Sequence, residues 1–141
     1  MFGNFNNSFK TLITSSLILS ASFFVQNSSA LAGGFTETCE DIDLVSGFVL
    51  RAKCRNENDD KVFNAIDLNK YIVNINAAFD WQLNGNYIAS CREIRLLPAP
   101  RFGKLFLGAI CRDPRGNEER AVIDLNERIS NQNGILAVDG F

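Results

Sequence analysis

The residues best suited to bind a polar ligand occur in two matching sets. Each set contains an Asn-x-Asn motif, formed by Asn74 and Asn76 in one half of the chain and by Asn131 and Asn133 in the other. In each half an arginine also follows a cysteine directly. Asparagine offers a donor and an acceptor, and arginine offers a fixed fork of N–H donors. Such a combination can satisfy the neighbouring hydroxyls of a sugar, although asparagine is also a common turn residue.

Catalytic chemistry is poorly represented. The chain has no histidine, which removes the usual general base of serine and cysteine nucleophiles. The adjacent acids Asp59-Asp60 and Glu118-Glu119 are the remaining candidates, as the paired carboxylates of a glycosidase. Adjacent residues on an extended segment point apart, and nothing nearby indicates the apolar pocket that raises one carboxyl pKa. We therefore predict a protein with no enzymatic activity, no catalytic residues and no cofactor.

The four cysteines, Cys39, Cys54, Cys91 and Cys111, predict two disulfides rather than a metal site. They include no C-x-x-C pair, and there is no histidine to complete a zinc site. Four cysteines allow three connectivities, and their number alone does not choose among them. Strand-turn-strand patterns between the first two and between the last two would bring their ends together, which favours Cys39–Cys54 and Cys91–Cys111.

The first 32 residues are predicted to be a cleaved export signal. Lys10 precedes an apolar run from Leu12 to Val25, and Ala30-Leu31-Ala32 has the small-x-small form that signal peptidase accepts. The run is shorter than the roughly 20 residues that span a bilayer. We expect cleavage after Ala32, no membrane insertion thereafter, and a secreted or periplasmic protein formed by residues 33–141 as one domain.

The charge of the predicted mature chain argues against nucleic acid as a partner. Removing Lys10 leaves 13 basic residues (14 minus one) and 16 acidic ones, a net charge of −3. Nucleic-acid-binding domains are usually basic. The charge is uneven, since residues 33–84 carry 5 basic and 9 acidic residues and residues 85–141 carry 8 and 7.

An internal duplication explains the matching sets. A shift of 57 positions gives nine identities over the 23 positions from Cys54 to Asn76 and superimposes Ile66-Asp67-Leu68-Asn69 on Ile123-Asp124-Leu125-Asn126. Two copies are too few for a solenoid. We predict one pseudo-symmetric domain in which each copy completes the other's core, with repeat one at about 33–84 and repeat two at about 85–141.

Strand patterns dominate within each copy. Phe48, Leu50 and Ala52 alternate with Val49, Arg51 and Lys53, as expected of a half-buried strand. The repeated phrase predicts a strand end followed by one helical turn that Asp67 or Asn69 caps. Asn133-Gly134 predicts a tight hairpin, and a longer turn is expected from Pro98 to Gly103.

These ordered motifs together resemble the cyanovirin-N homology family. The residues that carry the resemblance are "GGFTETC", the second cysteine 15 positions on, both copies of "IDLN", Trp81-Gln82, "YIASC" and "NQNG". The resemblance spans Phe35 to about Leu136. It implies an all-β fold of two pseudo-symmetric repeats, each a three-stranded sheet plus a hairpin with short 3-10 turns and one disulfide. It also implies non-catalytic binding of mannose-type oligosaccharides or glycoproteins.

The resemblance implies two sugar sites, each built from both repeats. The first would contain Glu37, Thr38, Arg55, Asn56, Asn131, Gln132 and Asn133. The second would contain Asn74, Asn76, Asn84, Ser90, Arg112 and Asp113.

Several positions depart from the family pattern. Arg55 replaces an acid, Ala89 replaces a glutamate, and Pro114 stands where arginine is frequent. The linker around Asn84-Gly85-Asn86 lacks a proline and has one extra residue, so both a monomer and a domain-swapped dimer remain open.

One alternative to a lectin is a secreted protein-interaction module on the same scaffold with decayed sugar sites. It would use the long hairpin around Phe102 to Phe106, whose apolar and basic residues suit a partner or membrane-surface contact.

Overall fold

The computed structural model describes residues 33–141, so the predicted export signal and its cleavage site lie outside the described residues. The described chain folds into ten strands and five single 3-10 turns, in agreement with the predicted all-β class. Their bounds are η1 Phe35–Glu37, β1 Cys39–Val45, β2 Val49–Arg55, β3 Lys61–Asp67, η2 Leu68–Lys70, β4 Ile72–Ile75, β5 Ala78–Trp81, η3 Tyr87–Ala89, β6 Cys91–Ala99, η4 Pro100–Phe102, β7 Lys104–Arg112, β8 Glu118–Asp124, η5 Leu125–Glu127, β9 Ile129–Gln132 and β10 Ile135–Val138.

The duplicated sequence gives duplicated topology. Antiparallel meanders β1-β2-β3 and β6-β7-β8 form two three-stranded sheets, and β4-β5 and β9-β10 form two hairpins. Each hairpin packs against the meander of the other copy, with β5 against β8 and β10 against β3. The two copies are therefore interleaved, and neither sheet buries its inner face with residues of its own copy alone.

One core joins the two copies, as predicted. Its fully buried residues come in equivalent pairs: Leu50 with Leu107, Leu68 with Leu125, Ile72 with Ile129, and Phe35 with Tyr87. Burying a large aliphatic or aromatic side chain contributes about 1.5 to 3 kcal/mol. This shared burial fixes how the hairpins of one copy sit over the sheet of the other.

The repeated Ile-Asp-Leu-Asn phrase is a capped turn in both copies. β3 ends at Asp67, whose carboxylate accepts a hydrogen bond from the Asn69 N–H at 3.0 Å, and β8 ends at Asp124, which accepts from the Asn126 N–H at 2.9 Å. Asp67, not Asn69, is therefore the cap. The leucine between them enters the core, so the phrase sets where the next hairpin begins.

Both predicted disulfides are present and close the first hairpin of each meander. Cys39 pairs with Cys54, and Cys91 pairs with Cys111. Each bonded pair also consists of direct cross-strand partners. The disulfide therefore fixes the register at the strand ends from which Arg55 and Arg112 continue.

The turn of the long hairpin, between β6 and β7, is shorter than the sequence predicted. We expected the turn to begin at Pro98, but β6 continues through Pro98 to Ala99, and the turn is the 3-10 segment Pro100–Phe102. β6 lies at the edge of its sheet. An edge strand tolerates proline because its outer side needs no N–H donor.

The linker between the copies is hydrogen-bonded to the first copy. The N–H groups of Gln82, Asn84 and Asn86 donate to carbonyls of the segment 69–71, at 2.9, 2.7 and 2.7 Å. The linker is therefore part of the folded structure. Among residues 33–141 no helix has both the length and the apolar character required to cross a bilayer.

Candidate functional site

Two polar clusters lie where a hairpin of one copy meets the cysteine-flanking segments of the other. Cluster one contains Thr38, Arg55, Asn131 and Asn133, and cluster two contains Asn74, Ser90 and Arg112. In each Asn-x-Asn motif the first asparagine lies in a strand and the second lies in the hairpin turn that follows it. The motif therefore lies at the end of the hairpin, beside the cluster. The turn residues Asn133 and Gly134 have φ values of 52° and 91°, the left-handed conformation of a two-residue hairpin turn.

Asn131 is the centre of cluster one. Its Nδ2 donates to Thr38 Oγ1 at 2.9 Å and to the Arg55 carbonyl at 2.7 Å. Its Oδ1 accepts from the Gly134 N–H at 2.7 Å. One amide thus joins the hairpin of the second copy to two segments of the first.

A second contact attaches the hairpin tip in cluster one. Asn133 Oδ1 accepts a hydrogen bond from the Glu57 N–H at 2.8 Å. The loop that carries Glu57 is itself closed by Asn56, whose Oδ1 accepts from the N–H groups of Asn58 and Asp60 at 3.0 and 2.8 Å. The loop and the hairpin tip therefore form a continuous hydrogen-bonded rim.

Cluster two repeats the central contact. Asn74 Nδ2 donates to Ser90 Oγ at 2.7 Å and to the Arg112 carbonyl at 2.8 Å. Asp113 closes its loop as Asn56 does, because its Oδ1 accepts from the N–H groups of Arg115 and Asn117 at 2.8 and 2.9 Å. The bonds that the central asparagine donates, and the side-chain closure of the loop, therefore occur in both clusters.

A shallow depression lies beside each cluster. The one beside cluster one has a volume of about 130 Å³ and includes Glu37, Thr38 and Arg55 in its lining. The one beside cluster two has a volume of about 110 Å³ and includes Ser90 and Arg112. Both are small and open, so they suit a terminal polar unit rather than a deeply enclosed ligand.

Charged groups at the clusters are compensated locally. Arg55 Nε lies 3.1 Å from Asp59 Oδ1, and Arg112 lies 3.7 Å from Glu118. Glu118 also binds Arg92 at 2.7 Å. A hydrogen bond from Arg92 lowers the pKa of Glu118 and so favours its ionised form. The arginine of each cluster is therefore paired with an acid, which reduces the charge that it presents to a neutral polyhydroxylated ligand.

Two of the residues proposed for the sites make their contacts elsewhere. Gln132 Nε2 donates to Asp139 Oδ1 at 3.1 Å, within the hairpin of its own copy. Asn84 lies in the linker, where its N–H donates to the Lys70 carbonyl. Within residues 33–141, neither side chain forms a hydrogen bond to the other proposed residues. Asn76 lies at the tip of its hairpin with a φ of 53°.

Sequence reasoning missed Glu57 and Gly134. Both contribute a backbone N–H, so their side chains give no signal. The repeat offered one signal, because the two copies differ at these positions. It aligns Glu57 with a proline and Gly134 with an alanine.

The pair Glu118 and Glu119 does not form the arrangement of a glycosidase. Glu118 and Glu119 are neighbours on β8 and therefore point to opposite faces. The pKa of Glu118 is lowered, whereas a general acid needs a raised one. Within the described part of the chain, His, Cys, Asp and Glu form no group of three or more suited to hold a metal ion.

Comparison with known proteins identifies the family and the fold of this chain. The CVNH domain model matches residues 35–137. The NMR structure of GzCVNH from Gibberella zeae is 31% identical with a TM-score of 0.72, covering 77% of this chain and 99% of that one. A MoCVNH3 variant solved in complex with (N-GlcNAc)4 is 27% identical with a TM-score of 0.66, covering 76% and 97%.

Microvirin, solved as a complex with mannobiose, shares the fold at 23% identity with a TM-score of 0.64, covering 74% of this chain and 96% of its own. Among curated proteins, none is significantly similar in sequence.

Proposed function

The chain belongs to the CVNH family, and from this premise we propose that it is a lectin that binds mannose-type oligosaccharides through one or both asparagine clusters. The observation that carries the proposal is the amide of Asn131, which joins the two copies beside a shallow polar depression. The same amide contact recurs at Asn74. A twofold arrangement of neutral hydrogen-bonding groups fits sugar hydroxyls better than it fits a charged or apolar ligand.

Two related proteins support a carbohydrate ligand and differ in the sugar. The MoCVNH3 variant is complexed with (N-GlcNAc)4, and microvirin, which shares the fold alone, is complexed with mannobiose. We favour mannose-type glycans because Thr38, Asn74 and Asn131 keep the residue types that are usual in the family. Thr38 and Asn131 lie in cluster one, and Asn74 lies in cluster two. Binding requires no cofactor and no chemical step.

The direct experiment is a titration of the purified protein with mannobiose and, separately, with tetra-N-acetylglucosamine. We expect mannobiose to bind in the millimolar range or tighter, as measured by calorimetry. The double variant Asn74→Ala with Asn131→Ala should lose that binding, whereas Asp80→Asn, at an exposed position of β5 outside both clusters, should retain it. Binding of tetra-N-acetylglucosamine alone would keep the lectin and overturn the mannose preference. Binding of neither sugar would overturn the lectin proposal.

A protein-interaction module is the second candidate, and one observation favours it. Phe102, in the turn of the long hairpin, is 77% exposed. The substitution Phe102→Ser should abolish such an interaction and leave sugar binding unchanged. We further propose that the protein is exported, with mature residues 33–141; N-terminal sequencing of the protein from its native cell would show whether Gly33 is the first residue.

A further inference from the structure

We propose that the Glu57 N–H and the Gly134 N–H are positioning groups that order the hairpin of cluster one before a sugar arrives, so that cluster one binds sugar more tightly than cluster two. The proposal rests on the proposed sugar-binding function. It concerns two backbone donors that cluster two does not match. The repeat aligns Glu57 with Pro114 and Gly134 with Ala77.

The first difference is the missing donor at Pro114. In cluster one the Glu57 N–H donates to Asn133 Oδ1 at 2.8 Å. Proline has no N–H, so Pro114 cannot make the same bond to Asn76, the equivalent of Asn133. Across residues 33–141 the Asn76 side chain has no hydrogen bond to the protein. A sugar that used Asn76 would have to fix a side chain that the protein leaves free.

The second difference lies at the central amide. Asn131 Oδ1 accepts from the Gly134 N–H at 2.7 Å, whereas Asn74 Oδ1 is buried and has no hydrogen-bond partner in the described chain. Ala77 is the equivalent of Gly134, but its N–H does not donate to Asn74 Oδ1. Its φ of 67° is a conformation that glycine adopts without steric cost and alanine does not. The hairpin of cluster two is therefore less completely bonded than the hairpin of cluster one.

The binding consequence follows from preorganisation. Ordering a side chain or a hairpin during binding reduces the observed affinity, because part of the interaction free energy is used for ordering. Cluster one has that order already, through four hydrogen bonds made by Asn131 and Asn133. Cluster two has the two made by Asn74. Two hydrogen bonds at the lower end of their usual net contribution correspond to roughly a five- to tenfold difference in dissociation constant.

The experiment is an NMR titration of the isotope-labelled protein with mannobiose and with tetra-N-acetylglucosamine. Amide signals of Asn133 and Gly134 report on cluster one, and those of Asn76 and Ala77 report on cluster two. We expect the dissociation constant at cluster one to be lower by roughly five- to tenfold. Equal constants, or tighter binding at cluster two, would overturn the inference while leaving the lectin proposal intact.

Exchanging the donors tests the cause. Glu57→Pro should weaken binding at cluster one and leave cluster two unchanged. Glu57→Ala removes the side chain but keeps the N–H, so a smaller loss in Glu57→Ala than in Glu57→Pro assigns the effect to the backbone donor. Pro114→Glu restores a donor and should strengthen cluster two. A gain of affinity cannot result from misfolding, so unchanged binding in Pro114→Glu would overturn the assigned cause even if Glu57→Pro fails to fold.

A readout without sugar separates this inference from the lectin proposal. In the free protein, the side-chain amide of Asn133 should be rigid and that of Asn76 mobile, as measured by nitrogen relaxation. Equal rigidity of the two would overturn the inference whatever the sugar result. If neither sugar shifts any signal, the lectin proposal fails, and with it the claim of unequal affinities.

Discussion

Asn131 and Thr38 lie 93 positions apart in the chain, yet the amide of Asn131 donates to the hydroxyl of Thr38 at 2.9 Å. Asn131 belongs to the second copy and Thr38 to the first. The contact forms because the β9-β10 hairpin packs against β3 of the other copy. The position of the candidate site is therefore a product of the interleaved core and is not set within either copy.

The central asparagines should differ in their contribution to stability. Asn131→Ala removes three hydrogen bonds and should lower the free energy of unfolding by about 2 kcal/mol. Asn74→Ala removes two, but it also removes a buried acceptor that has no partner, so we expect a loss of about 1 kcal/mol. Urea denaturation measures both, with Asn58→Ala as the control. A larger loss for Asn74→Ala would contradict the hydrogen-bond assignment.

The caps of the repeated phrase provide a second test. Asp67→Ala removes the acceptor of the Asn69 N–H and should cost about 1 kcal/mol. Asp67→Asn keeps an oxygen acceptor at the same place and should lower the free energy of unfolding by only about a few tenths of a kcal/mol. Thermal denaturation of the two variants distinguishes the cap from the charge. If both variants lost the same stability, the carboxylate charge rather than the hydrogen bond would be responsible.

Much of the local structure could be predicted from the sequence, because local signals control it. Asp67 caps its turn through a residue two positions away, and Asn133-Gly134 forms a tight turn through its own backbone preferences. The cysteine pairing followed from strand-turn-strand patterns. These features depend on neighbours in the chain, so the repeat could report them twice.

Features that depend on the whole fold were not visible in the residue pattern. Pro98 continues a strand because β6 lies at a sheet edge, and edge position is a property of the assembled sheet. The contact between Thr38 and Asn131 came from family resemblance and not from spacing. Glu57 gave no signal because only its backbone N–H takes part.

Acid should weaken the ion pairs that connect β1 and β2. Asp41 lies 2.9 Å from Lys53 Nζ, and Asp43 pairs with Arg51. A hydrogen bond from Lys53 lowers the pKa of Asp41, and one from Arg51 lowers the pKa of Asp43. Folding thus lowers both pKa values, so this stabilisation is complete above the ordinary carboxyl pKa and is lost as the pH falls through the lowered values.

We therefore expect the free energy of unfolding to decrease below about pH 4, by a modest amount because these side chains are exposed. Asp43→Asn should remove part of that decrease, and high salt should also reduce it. Asp80→Asn is the control, because Asp80 makes no ion pair within the described residues. An unchanged acid profile in Asp43→Asn would show that the ion pair with Arg51 contributes nothing measurable.

The linker provides the last prediction, which concerns Gly85. A Cβ atom placed on Gly85 would lie 1.9 Å from the Ile72 carbonyl oxygen and 2.7 Å from the Val73 nitrogen. Both are backbone atoms of β4 and cannot rotate away. Gly85→Ala must therefore lift the linker from β4 and strain the hydrogen bonds of Asn84 and Asn86 to the segment 69–70.

We expect Gly85→Ala to destabilise the monomer by about 2 to 4 kcal/mol, from steric overpacking and two weakened hydrogen bonds. A linker released from β4 also favours exchange of halves between two chains, so the dimer fraction should rise with concentration. Denaturation and light scattering after size exclusion measure the two effects. Gly116→Ala is the matched control, because a Cβ there meets no atom within 4 Å and costs only its positive φ of 89°. If Gly85→Ala behaved like Gly116→Ala, the close approach to Ile72 would not constrain the linker.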